Sequence, residues 1–177
     1  NEFYKNDRNL ARAINLATQA SEACLKAGDT QQAITSLING ASICMVNKEP
    51  QKALELSQRA LELAANVSDK LLLARSYQNI GAAEKMLGKY DEALANFQEA
   101  QKIYDVTPNA PMRDELLCIK SIGNAYYMKN DFAKAYDKHL LALNLLDITP
   151  DLSGNELVRS ELLIEVANDL VKLEQKD

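Results

Sequence analysis

Helix breakers are scarce in this chain. Its 177 residues hold only 4 prolines and 6 glycines, while Ala, Leu, Glu, Lys and Gln, which favour helix, are abundant. No alternating strand pattern occurs, so an all-α fold is expected. Long apolar runs are lacking too: stretches such as Leu71 to Ala74 and Leu140 to Leu143 are far too short to cross a bilayer, and no secretory signal opens the chain. No membrane insertion by this domain is expected. The first residue is Asn1 rather than Met, which reads as an excised or processed fragment with room for additional domains in the parent chain. A basic excess is missing as well. With 20 Lys and Arg against 25 Asp and Glu, the net charge is -5, which argues against nucleic acid or anionic lipid as a partner of this domain.

Chemistry-bearing residues are sparse. Three cysteines, Cys24, Cys44 and Cys118, are an odd number without metal-ligand spacing, each set in a helical apolar pattern. They read as reduced core thiols, which favours a reducing, cytoplasmic compartment. His139 is the single histidine. No second histidine, acid pair or cysteine stands at ligand spacing with it, so it reads as a packed core histidine, with neither a metal nor a Cys–His nucleophile. There is no Gly-rich phosphate loop and no GxSxG. The acidic pairs Asp91-Glu92 and Asp114-Glu115 fall in first helical turns, where they complement the helix dipole. The expectation is a non-enzyme with no cofactor.

What is present is a repeat. A shift of 40 residues lays Ser36–Ala41 (SLINGA) on Ser76–Gly81 (SYQNIG). A shift of 42 carries Ile80 and Gly81 onto Ile122 and Gly123, and a further 44 carries Ile122, Gly123 and Asn124 onto Val166, Ala167 and Asn168. Alanines align in the second helices, as Ala13, Ala53, Ala93 and Ala135, and again as Ala20, Ala60, Ala100 and Ala142. Alanine every two turns on one face lets a neighbouring helix backbone come close. The clearest unit spans Ala74 to Tyr104, with Tyr77, Ile80 and Gly81 on one stripe and Ala93, Leu94, Phe97 and Ala100 on the other. Gly88 and Lys89 make its turn.

Helix signals then divide the chain into a second-type helix over residues 7–27, capped by Asp7 and preceded from Asn1 to Asn6 by the tail of a linker or the frayed end of a preceding element, hairpins over 30–65, 69–104 and 112–146, and a first-type helix over 155–176 capped by Asn155. Pro50 suits a first helical turn. The loops Asp105 to Pro111 and Thr149 to Gly154 interrupt the pattern. Single hairpins cannot bury their stripes, so neighbours must stack, with a curved superhelical slab over residues 1–177 as the expected result.

The spacing of Tyr77, Ile80, Gly81, Gly88, Tyr90, Ala93, Phe97 and Ala100, and of Ile119, Ile122, Gly123, Tyr126, Phe132, Ala135 and Ala142, resembles the tetratricopeptide repeat. The repeat length near 40 is similar to that of the long-loop members: kinesin light chains, adaptors with LGN-type repeats and bacterial peptide-sensing regulators. The resemblance implies a right-handed superhelical solenoid of stacked antiparallel helix hairpins. Several positions depart from the family pattern. The aromatic of the second helix is Phe97 in one copy but Ser57, Ala17 and His139 in others, and the closing proline is displaced to Pro108 and Pro150.

Proteins of this resemblance hold a protein or extended peptide along a concave groove lined by first helices. If Tyr77, Ile80 and Gly81 face the core, Arg75, Gln78, Asn79 and Lys85 lie off that stripe. The corresponding groove residues elsewhere are Asn39 and Ser42, then Lys120, Asn124 and Tyr127, then Glu165 and Asn168. A carboxamide both donates to and accepts from a peptide backbone, so an asparagine ladder could hold one with little regard to its sequence. The competing account has Asn39 and Asn79 solvated or bonded across helices. Arg75, Lys85 and Lys120 would add a preference for acidic residues or a free carboxylate. Tyr126 and Tyr127 read as one core and one groove residue. Two further readings stand beside the peptide-binding scaffold: a regulatory sensor domain of a larger, bacterial-type signalling protein whose ligand changes superhelix shape, and a self-association spacer. The Lys and Asn clamp by which chaperone adaptors of the family hold a terminal carboxylate needs Lys and Asn where this chain has Ile38 and Ser42, and Asn in place of Ala82. Only Lys120 and Asn124 fit. A chaperone-tail peptide is expected to give no heat of binding by calorimetry, and a measurable affinity would overturn that reading.

Overall fold

The computed structural model describes residues 2–149 and 155–175, with side chains from residue 9 onward. Among these residues the chain forms eight α-helices and no strand: α1 Glu2–Lys26, α2 Thr30–Val46, α3 Pro50–Ala64, α4 Lys70–Met86, α5 Tyr90–Val106, α6 Met112–Met128, α7 Phe132–Ile148 and α8 Glu156–Glu174. None of them is long and apolar enough to cross a membrane.

Local chemistry sets most boundaries. Asp29 accepts from the Gln32 amide at 3.0 Å and Asp69 from the Leu71 amide at 2.9 Å. Asn155 accepts from the Val158 amide at 3.3 Å. Each supplies an acceptor to a helix start that has no intrahelical one. Pro50 occupies the first turn of α3, where its missing N–H is no loss. Four helices end alike. The residues at 28, 48, 88 and 130 take positive φ of 80°, 58°, 77° and 61°, and the amides of Asp29, Glu49, Lys89 and Asp131 donate back five residues at 2.9–3.0 Å. This is the left-handed stop that glycine accepts most cheaply, and it makes the three-residue turn between partner helices.

Two readings change at the amino-terminal end. The stretch from Glu2 to Asn6, expected as a linker tail or the frayed end of a preceding element, is continuous with α1, so α1 begins ahead of Asp7 and Asp7 is not its cap. No breaker stands there to stop the helix. Asn1 and the 150–154 part of the last loop, with Pro150, lie outside the described residues.

The chain divides into two compact units, residues 1–103 and 104–177, the division falling in the last turn of α5. In the first unit, Ile14, Ile34, Leu37, Ile38, Leu54 and Ile80 join one buried cluster with small residues between them. In the second, Leu116, Ile119, Ala142, Leu146 and Leu162 form the core. Cys44 and Cys118 are fully buried, and Cys24, Cys44 and Cys118 are all outside any disulfide. Burial pushes the Cys118 thiol up to about 12, so it stays an inert thiol near neutrality.

Six of the eight aligned alanines, Ala53, Ala60, Ala93, Ala100, Ala135 and Ala142, have no exposed surface. Ala13 and Ala20 do not follow them: Ala13 is half-buried and Ala20 exposed, and α1 buries Ile14 and Ser21 instead. The alanine rule holds only where a second helix covers that face, and among the described residues none covers this side of α1. The outer face of α8 is likewise open, with Leu157, Leu163, Ile164, Leu170 and Val171 exposed.

Within hairpins, one small residue faces one larger residue sixteen positions on. A Cβ at Gly81 would lie 2.9 Å from two carbons of the Phe97 ring and 3.0 Å from the Ala93 carbonyl, and a Cβ at Gly123 would overlap the His139 ring. The equivalent Ala41 has Ser57 as its counterpart, and both are buried. Large residues on the second helix thus go with glycine on the first, and a small one with alanine, as constant packing volume requires. Gly81→Ala should lower stability by about 1–3 kcal/mol through this overlap. Urea unfolding of the variant checks it, and an unchanged midpoint would contradict the close approach.

Candidate functional site

Along α6, Lys120, Asn124 and Tyr127 stand at spacings of four and three, and along α8, Glu161, Glu165 and Asn168 repeat those spacings. Each set therefore shares one helix face. The structure turns the two faces together. Lys120 Nζ lies 2.5 Å from Glu161 Oε2 and 3.7 Å from Glu165 Oε1, with the Lys120 side chain only 15% exposed. From α7, His139 comes in between them, and its Nδ1 lies 2.7 Å from Asp169 Oδ2 of α8. Asn124, Tyr127, His139, Glu165, Asn168 and Asp169 line one cavity of about 130 Å³, all within the second unit.

His139 is 1% exposed and Asp169 has no exposed surface. An ionised carboxylate only accepts, so the 2.7 Å contact calls for an imidazole proton on Nδ1. Burial pushes the Asp169 carboxyl up, while the hydrogen bond and charge of His139 pull it back. Three buried atoms around the cavity have no hydrogen-bond partner: His139 Nε2, Glu165 Oε2 and Asp169 Oδ1. Nε2 is 3.7 Å from Glu165 Oε2, beyond a hydrogen bond. The Tyr127 ring is held on another side by an edge contact to Phe132, with centroids 5.2 Å apart at 63°.

The residues expected in the groove fall into separate groups. Asn124, Tyr127, Glu165 and Asn168 meet around this cavity, with Lys120 beside it held by the two glutamates, which take up the charge expected to favour acidic ligands. In the first unit, Asn79 of α4 donates from Nδ2 to the Ile38 carbonyl at 3.0 Å and to Ser42 Oγ at 3.3 Å on α2. Its two amide hydrogens thus join helices, the second of the accounts open for it. Asn39 is exposed; Arg75, Gln78 and Lys85 are half-buried. Tyr126 and Tyr127 are both half-buried; Tyr126 lies under Lys134 Nζ at 5.4 Å, while Tyr127 lines the cavity.

Sequence reasoning passed over Asp169 and took His139 for core alone. The repeat held a signal for both. Asp169 stands where earlier copies have the fully buried Ala125 and Ala83, and His139 stands where one has the fully buried Phe97. A carboxylate and an imidazole at two core positions indicate pairing.

Replacing His139 by Phe should therefore cost about 3 kcal/mol by stranding the Asp169 carboxylate, and adding Asp169→Leu should recover most of the loss. A double-mutant cycle in urea checks it; additive losses would show that the two side chains do not depend on each other.

Comparison with known proteins places this geometry. Residues 32–105 match the family model described as tetratricopeptide repeat. Among solved structures, a putative kinesin light chain with nearly identical tetratricopeptide-like repeats from Podospora anserina is similar with a TM-score of 0.74, at 17% identity over 98% of this chain and 83% of that one. BtubC from P. vanneervenii is similar with a TM-score of 0.58, at 16% identity over 99% of this chain and 88% of that one. The tetratricopeptide-repeat domain of Arabidopsis FLU gives 0.58 at 22% identity, over 67% of this chain and 98% of that one. No curated protein sequence matches the chain.

Proposed function

We propose that this chain, which carries tetratricopeptide repeats in residues 32–105 and has their fold, is a non-enzymatic protein-binding scaffold that holds an extended segment of a partner on the first-type helices α6 and α8. The observation that carries this reading is the convergence of Asn124, Tyr127, Glu165 and Asn168 on one cavity. The two asparagines lie on its rim, half-buried and exposed, where carboxamides can meet a peptide backbone. Tyr127 offers a ring fixed by Phe132 against which a side chain can pack.

The buried His139–Asp169 pair invites a catalytic reading, and the cavity lining speaks against it. No serine, threonine or cysteine lines the cavity to serve as a nucleophile beside the imidazole. Among the described residues no group of three His, Cys, Asp or Glu side chains is placed to hold a metal. The pair is better explained as a structural tie between α7 and α8 that also shapes the cavity floor.

A displayed random-peptide library selected against the chain tests the scaffold reading. Enriched peptides should bind the wild type and lose roughly tenfold or more in affinity on the double substitution Asn124→Ala with Tyr127→Ala, with the melting temperature preserved. Equal binding by that variant would remove the site from α6 and α8.

A further inference from the structure

The scaffold reading leaves open which side chain of a partner enters the cavity, and its buried polar atoms bear on the answer. Among the described residues, Asp169 Oδ1, Glu165 Oε2 and His139 Nε2 lack hydrogen-bond partners. The first two are carboxylate oxygens, which only accept when ionised. Lys120, the cation at the edge, is shared between Glu161 and Glu165, and Asp169 has the imidazole as its partner. The cavity thus presents negative charge and carboxylate oxygens without donors, and Asp169 has no exposed surface. Buried acceptors without donors cost free energy, and a ligand carrying several N–H donors and a positive charge removes that cost.

Building on that scaffold reading, we infer that the cavity takes the guanidinium of an arginine side chain from the partner protein. Guanidinium carries five donors and is weakly hydrated for a cation, so it enters a half-buried acidic site at less cost than an ammonium. Its planar face suits the Tyr127 ring in the lining. A carboxylate ligand would meet the like charges of Glu165 and Asp169, and a carboxamide would supply two donors without charge.

His139 is the single histidine of the chain, so its ring resonances report on this cavity alone. The full chain is titrated with N-acetyl-arginine amide, with the isosteric but neutral N-acetyl-citrulline amide, and with free L-arginine, following the His139 ring by NMR. The expected result is a saturable shift with the arginine amide, binding weaker by roughly tenfold or more for citrulline, and a comparable loss of arginine binding in Glu165→Gln. That variant leaves the His139–Asp169 bond in place, so its fold is retained and its melting temperature verifies this. Citrulline binding as well as arginine, or no His139 response to arginine, overturns the inference. Free arginine binding more tightly than the blocked amide overturns it in favour of a free amino-acid site. A partner peptide that depends on Asn124 and Tyr127 but tolerates citrulline in place of each of its arginines overturns the arginine assignment while leaving the scaffold reading intact.

Discussion

Close approach of paired helices is the constraint on which the rest of this molecule depends. Each hairpin places one residue of its first helix against one residue of its second, and the volumes of the two trade against each other. Gly81 meets Phe97, and Gly123 meets His139; alanine and serine stand at the corresponding places in the hairpin of α2 and α3. Alanines with no exposed surface on α3, α5 and α7 keep the neighbouring backbones near. Because density in a protein interior is nearly fixed, a change at one member demands a compensating change at the other.

The candidate site arises where that packing scheme is kept in shape and altered in chemistry. An imidazole has nearly the outline of a phenyl ring, so His139 fits against Gly123 as Phe97 fits against Gly81. It brings nitrogen atoms into the core, and Asp169 on α8 meets one of them at 2.7 Å. A buried pair of this kind costs desolvation and gives back specificity in how helices are aligned. The remaining atoms, one on each partner and one on Glu165, have no such compensation among the described residues. The structural tie and the proposed binding role therefore rest on the same residues.

Much of this was legible in the sequence, because helix propensity, the repeat near 40 residues and the turn residues all point the same way. Asp29, Asp69 and Asn155 sit at the helix starts, and Gly88 at a helix stop, as local hydrogen-bond needs dictate. The residues of α6 and α8 that meet at the cavity could be named from helical spacing together with the family resemblance. Their convergence could not, since it depends on α7 inserting His139 between the two faces. Asn79 shows the same limit from the other side: helical spacing puts it off the core stripe, but only the distance to Ile38 and Ser42 reveals that its amide hydrogens are taken. The α1 alanines misled because a periodic small residue records what a face permits, and burial also needs a helix to cover it.

The central claim is that the cavity among α6, α7 and α8 is built on the contact of His139 with Asp169, and the proton position on His139 tests it most directly. Nitrogen-15 shifts of the imidazole at neutral pH give that position. The account predicts a proton on Nδ1, held by Asp169. A ring carrying its proton on Nε2 alone would contradict the account.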